Sequence, residues 1–523
     1  MTTAGDDRVF LRKASGLIKT ASNTDVFIFD IGLVSIGLGL AFILFFGPGF
    51  YPGANLYVST IVAGVAMLAV GGGMICWTVT IPRSGGVYVF ATRSMWPPLA
   101  FMLSFAEASA WLFYSAFGAY YIAQIGVAPL VTTAGIITHS PGVVSFGGDL
   151  AGKWPTFGIA AGLELIGAVI LASGMRRFFM TQKTMFGIAL VGTLVYIFTL
   201  VATSRHDFVS SFNSLMTPYL GNDAYHAVIG GYKAPGYDWS QTLKLANWAF
   251  LPLIGAAFSI SIGGEIKQVT KGQTRGILLA IIGSVITWIV CYALVFRTMG
   301  NSFLATVTGN TKIPVVPYSP SLIGIGTGSV TLAVLIAVGF IAWIWLWVPT
   351  QVAYGNRAIM AWSLDRIFPD TFGKVSNRTH TPIPAIGLAT AAALGFLATL
   401  TFTTLFKLVI FIEVGVLAWA VVLFAGVFFP YRRPDIYEKS PIANVKVLGY
   451  PVMSVVCALG SIAGFAFLVD LLFDPVAAGH SFDSRNVLIG WFVGGFLLYW
   501  VLWLWRRRQG VNVDLAFKEI PIE

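Results

Sequence analysis

Apolar runs of about 20 residues, each long enough to cross a ~30 Å hydrocarbon layer as a helix, recur in this chain from Phe27 to Trp505. No other feature constrains the fold as much. Lipid offers the backbone no hydrogen-bond partner, so a spanning segment must be a helix or belong to a closed barrel. Barrel strands alternate apolar and polar residues, and these runs do not. Of the 523 residues, 57% are hydrophobic and 10% charged, against roughly 25% charged in soluble domains. A soluble enzyme, a disordered chain and a nucleic-acid binder are excluded, despite a net charge of +10. The expected fold class is an all-α polytopic membrane protein.

Breaks at Pro, Gly and charge clusters divide the runs into twelve spans, near 27–47, 56–81, 96–125, 156–175, 180–204, 247–267, 273–299, 327–361, 383–405, 408–430, 448–473 and 486–506. Placing both termini inside collects most of the 32 Lys and Arg residues on one side. These include Arg8, Arg12, Lys13 and Lys19, then Arg176, Arg177 and Lys183, and finally Arg506, Arg507, Arg508 and Lys518. The positive-inside rule expects this alternation, so the charge reports topology and contact with anionic membrane lipids rather than nucleic acid. Cys76, Cys291 and Cys457 lie in apolar runs and offer no metal spacing or disulfide framework. The mixed, charged N-terminus has no cleavable-signal pattern. The expected location is a cell membrane, with cytoplasmic termini.

The longest outer loop, 205–246, falls between spans five and six. That partition suits two five-helix units followed by two further helices. The corresponding domains are a cytoplasmic segment 1–26, a first repeat 27–204, an extracellular loop 205–246, a second, inverted repeat 247–430, helices eleven and twelve over 431–506, and a cytoplasmic tail 507–523. In an inverted-repeat transporter the first helix of each unit is interrupted near the midplane. Span one contains Ser35-Ile36-Gly37-Leu38-Gly39 and span six Leu251-Pro252-Leu253-Ile254-Gly255. Gly and Pro weaken a helix there and free N–H and C=O groups that need a partner; close helix packing is the alternative use of such glycines.

Three blocks are distinctive: PRSGGVYVFATRSMWPPLAFMLSFAEASAW from Pro82, GEIKQVTKGQTRGI from Gly264, and NRAIMAWSLDRIFPDTFGKVSNRTHTPIPAI from Asn356. Together they resemble the amino acid–polyamine–organocation permeases. That family has a proline, two glycines and an aromatic pair before helix three, E-x-K-N-P after helix six, and S-R-x-x-x-A-x-x-R-D after helix eight. The chain departs from the pattern with Trp96-Pro97 for Gly-Pro, Gln268-Val269 for Asn-Pro and Leu364-Asp365 for Arg-Asp. The resemblance implies a leucine-transporter-type 5+5 inverted repeat plus two extra helices, with helices 1 and 6 interrupted. It also implies alternating access of amino acids or related organic amines to a central site.

Counting back from Glu265, the family's break in helix six falls on Gly255. The expected substrate site therefore comprises Ser35, Ile36, Gly37, Leu38 and Gly39 with Phe250, Leu253, Ile254, Gly255 and Ala256. A substrate carboxylate suits the positive start of a half-helix and an ammonium suits carbonyls at the opposite end, so neither role needs a charged side chain or a cofactor. Trp248, Phe250 and Phe258 are gating aromatics or ordinary packing.

Glu107 lies about eleven residues into span three with no basic residue within a helical turn. A carboxyl at that depth is costly and by default functional. It takes the proton that drives uptake or contacts the substrate ammonium; the alternative is an acid hydrogen-bonded between helices. Glu164 and Glu413 read as buried acids with a structural role, and Asp30 and Asp470 as solvated or interfacial ones. Span eight, VGFIAWIWLWVPT, has no hydroxyl through its middle, and sodium needs oxygen ligands, so proton coupling or obligate exchange is favoured over sodium. All five histidines fall in loops. Trp343, Trp345 and Trp347 read as lipid-facing and packing mass rather than an aromatic cage. On the inner face, Glu265 and Asp365 among Lys267, Lys271, Arg357 and Arg366 suggest a cytoplasmic gate latch or solvated loop charges. No catalytic or channel-filter motif appears; a substrate-sensing receptor on the same scaffold is compatible with the sequence. Oligomeric state stays open.

Overall fold

A computed structural model describes residues 16–404, 412–476, 482–511 and 513. Of the expected features, the N-terminal segment through residue 15, the first residues of span ten and the tail from residue 514 lie outside the described residues. Twelve helical spans are present: Asn23–Phe50, Leu56–Thr80, Pro97–Ile137, Lys153–Ala172, Met175–Ala202, Trp239–Ser261, Val269–Met299, Val330–Leu364, Ile383–Phe402, Ile412–Arg432, Val452–Phe473 and Arg485–Arg508. The protein is an all-α, multi-pass membrane protein. An even number of crossings puts Asn23 and Arg508 on one face, termed the terminal face below.

Local chemistry sets the span limits. Ser22 opens span one with a capping box, its N–H donating to Asp25 Oδ2 at 2.9 Å. Asn55 caps span two through the N–H groups of Tyr57 and Val58, and Asp238 caps span six. Gly174, at φ 116°, makes the corner between spans four and five, and Gly300, at φ 87°, ends span seven; both conformations favour glycine.

Burial sorts the spans. In its apolar centre span one has 83% of its residues buried and span six 72%, whereas span twelve has 17%. The pair carrying the Gly and Pro breaks therefore runs through the centre. Outward-facing Val65, Val169, Phe198 and Ile462 are exposed, as expected of side chains whose solvent is lipid.

Three expectations change. Span three continues past residue 125 to Ile137, through a π-helical stretch Ile122–Val127; the wider turn absorbs Gly126 and Pro129 without ending the helix. Trp343, Trp345 and Trp347 are buried rather than lipid-facing. Span eight passes beside the break in span one, and two of the indoles bond into that interior: Trp343 Nε1 donates to Thr193 Oγ1 at 2.8 Å, and Trp347 Nε1 to the Leu33 carbonyl. Asp30 is fully buried rather than interfacial, because its carboxylate binds span six.

The loops are ordered by short helices. Arg205–Leu220 and Ala224–Ile229 fill the long loop before span six, and Asn301–Val307 and Ser319–Thr327 precede span eight. On the terminal face, Val87–Ser94 follows span two, and a two-stranded hairpin pairs Lys446–Val447 with Tyr450–Pro451.

Candidate functional site

Span one is two helices, Asn23–Val34 and Ile36–Phe50, joined at Ser35 in the left-handed region (φ 48°, ψ 72°). For a residue other than glycine that conformation is costly. The second helix starts at Ile36 with no side-chain cap, and the buried Ser35 Oγ has no hydrogen-bond partner. The carbonyls around the break are occupied: Leu33 accepts from Trp347 Nε1, and Ile36 from Trp288 Nε1 at 2.9 Å. The break therefore leaves N–H groups, rather than these carbonyls, available in the middle of the protein.

Span six answers it. Its regular helix, Trp239–Leu253, carries Pro252 in its last turn and passes into a 3₁₀ stretch, Ile254–Ser261, with Ala257 off helical geometry (φ −120°, ψ 20°). Gly255 abuts the break in span one so closely that a Cβ there would overlap the Leu33 carbonyl. Gly37 packs on Trp343 and Gly39 on Trp288, and neither has room for a Cβ without movement. A cavity of about 30 Å³ lies beside Ile36 and Gly37, about the share of one water. Leu38, Leu253, Ile254 and Ala256 are buried around the same crossing.

Polar groups hold the 3₁₀ stretch. Asp30 Oδ1 accepts from the Ser259 N–H at 2.8 Å and Oδ2 from the Ser259 hydroxyl at 2.8 Å, and Gln273 Nε2 donates to the Ser259 carbonyl at 3.0 Å. From the other side the Pro82 block reaches in. Gly85 N–H donates to the Ser261 carbonyl at 2.9 Å, and Ser84 bridges to Ile262. Gly85 (φ 111°) and Gly86 (φ 53°) both need glycine, by conformation and because a Cβ would press on Ala361 or on the Tyr354 hydroxyl.

Glu107 sits beneath this stretch. One carboxylate oxygen accepts from Tyr354 Oη at 2.5 Å and Trp419 Nε1 at 2.6 Å. Trp111 and Phe258 complete an aromatic wall, with ring centroids 4.6 Å apart. Spans three, six, eight and ten thus each contribute a group. The three gating candidates separate: Phe258 joins this wall, Phe250 stacks on Phe467 of span eleven at 4.1 Å, and Trp248 stacks on Phe46 at 4.0 Å. Glu164 receives the Ser115 hydroxyl at 2.7 Å. Neither oxygen of buried Glu413 has a hydrogen-bond partner among the described residues.

On the terminal face, Arg357 grips Glu265 with two parallel bonds of 2.9 and 3.0 Å, and both side chains are buried. The Glu265 carbonyl accepts from the Thr20 and Ala21 N–H groups at 3.0 Å each, pinning the segment before span one. Asp365 pairs with Arg93, at 2.7 and 3.0 Å. Asp365 caps the end of span eight, and Arg366 follows it in the left-handed region at φ 58°. The latch residues thus form two buried ion pairs instead of solvated loop charges.

The family model for amino acid permeases matches residues 24–501. The chain belongs to the amino acid permease family. Membership makes it a membrane transporter rather than an enzyme and points to amino acid transport with a small-molecule substrate. A comparison with curated proteins found no match.

In the permease, the contacts around the breaks have no mark in the sequence. Asp30, Ser259 and Gln273 tie span six to span one, Trp288 and Trp347 close the carbonyls of span one, and Arg93 holds Asp365. The signal for Asp30 was a lone acid in the run FIFDIGLV. The other partners lie far along the chain and carry no local mark.

Proposed function

We propose that the permease carries an amino acid by alternating access, holding the substrate where the breaks of spans one and six cross. The observation that carries this reading is the uncapped helix start at Ile36 beside the unpartnered Ser35 hydroxyl. N–H groups at the positive end of a half-helix suit a carboxylate that has shed its water. Ser35, Ile36, Gly37, Leu38 and Gly39 meet it from span one, and Leu253, Ile254, Gly255 and Ala256 from span six. Phe250, through Phe467, supports the outer half of span six from behind.

Uptake is coupled to protons through Glu107. Its carboxyl is linked to spans eight and ten by Tyr354 and Trp419, and both of those rings pack on Phe258 of the 3₁₀ stretch. A change in its charge therefore acts on the groups that shape the site. The terminal face is cytoplasmic and the membrane is the cell membrane, in keeping with the Lys and Arg distribution. Residues 27–204 and 247–430 act as two inverted five-helix repeats. The inner gate is Glu265–Arg357 with Arg93–Asp365, and it must open for release.

The test is uptake of a labelled amino acid mixture into proteoliposomes under an imposed pH or sodium gradient. Accumulation under an inward proton gradient is expected. Counterflow without net accumulation would replace the symporter by an exchanger, and no movement of any amino acid or amine would sink the transport reading.

A further inference from the structure

A cavity of about 630 Å³ opens on the terminal face, bounded by the segment before span one, the corner between spans four and five, and the turn before span nine. Arg176, Arg177, Arg378 and His380 line it, with Thr20 and Glu265. The acid, Glu265, is already neutralised by Arg357. The three arginines have no ion-pair partner among the described residues. Among the described residues, the cavity therefore keeps an uncompensated positive charge.

Basic loops that serve only to orient a membrane protein have no need of a built enclosure. Arg176 and Arg177 stand on the first turn of span five, and Arg378 and His380 on a tied turn. The Arg378 and Thr379 N–H groups donate to Ser376 Oγ at 3.3 and 3.4 Å, and His380 N–H donates to the Ser376 carbonyl at 2.9 Å. The Thr381 hydroxyl reaches the Ala172 carbonyl at 3.4 Å, and Gly174 packs on Thr379. We infer that this cavity is a binding site for a phosphate-bearing anion, held by the guanidinium forks of Arg176, Arg177 and Arg378, and that its occupant fastens the terminal face shut. Planar guanidinium groups match phosphate oxygens bidentately, and the volume fits a small phosphorylated ligand or lipid headgroup. The occupant bridges the start of span five and the turn before span nine, and it lies beside the Thr20 segment that hydrogen-bonds the Glu265 carbonyl. The binding half is independent of the transport reading; the gating half rests on it.

The full-length protein should be titrated with inorganic pyrophosphate by calorimetry. In parallel, it should be reconstituted in nanodiscs of phosphatidylcholine with or without phosphatidylglycerol, and retained lipid counted by mass spectrometry. The variant Arg176→Gln/Arg177→Gln/Arg378→Gln should weaken pyrophosphate binding at least about 10-fold, a loss of about 1.4 kcal/mol. Lys439→Gln/Lys446→Gln, on the same face, should not. The single variant Arg378→Gln should show part of the loss and guards against misfolding of the triple one. Loss confined to retained phosphatidylglycerol assigns the site to a lipid headgroup; loss of pyrophosphate binding assigns it to a soluble anion. Equal binding by wild type and the triple variant in both arms would overturn the site. In proteoliposomes the ligand should slow wild-type uptake and leave the triple variant unaffected; unchanged wild-type uptake despite binding would overturn the gating half.

Discussion

Gly255 and Leu33 meet backbone to backbone, with no space for a side-chain carbon between them. The two broken helices of the protein therefore touch at their breaks, and each break shapes the other. Replacing Gly255 by Leu should push span six off the Leu33 carbonyl and abolish substrate binding, measured by scintillation proximity with labelled amino acids. Unchanged affinity would remove Gly255 from the site.

Glu107→Gln keeps the shape and the bonds from Tyr354 and Trp419 while removing the titratable carboxyl. Accumulation driven by an inward proton gradient should disappear, and exchange between equal pools should persist in part. Survival of the gradient response would place the proton elsewhere.

The Leu33 carbonyl is bonded by Trp347, whereas the equally buried Trp345 Nε1 has no partner. Trp347→Phe should destabilise the purified protein by about 1–3 kcal/mol, the cost of an unsatisfied buried group. Trp345→Phe should change its melting temperature little. Equal losses would mean that indole bulk, not the hydrogen bond, matters at both positions.

Arg357→Met leaves Glu265 buried and unpaired, at a cost of about 3–5 kcal/mol. The double variant Glu265→Leu/Arg357→Met should recover much of that in thermal denaturation. It should also expose cysteines introduced near Thr20 to alkylation from the terminal face, since the latch is gone. Additive single losses would show that the two side chains act separately.

Much of this protein was legible in order of sequence. Long apolar runs specify helices because lipid satisfies no backbone group, so the twelve spans and their all-α class follow from hydropathy. The pairing of Glu265 with Arg357 was within reach because both residues stand in recognisable blocks at span ends. Span three was read too short because a π-helical turn has no strong sequence mark. Trp343, Trp345 and Trp347 were placed in lipid because alternate spacing says nothing about which helix packs beside them.

What the sequence determined by itself was local: where the chain is apolar, where Gly and Pro weaken a helix, and which few charges stand in or beside the membrane. Tertiary structure decided the partners. Asp30 finds Ser259, Leu33 finds Trp347, Glu107 finds Tyr354 and Trp419, and Arg93 finds Asp365. Each choice joins residues more than two hundred positions apart, and each is enforced by one physical demand. A buried polar group must be bonded, but nothing in its own segment says by which one.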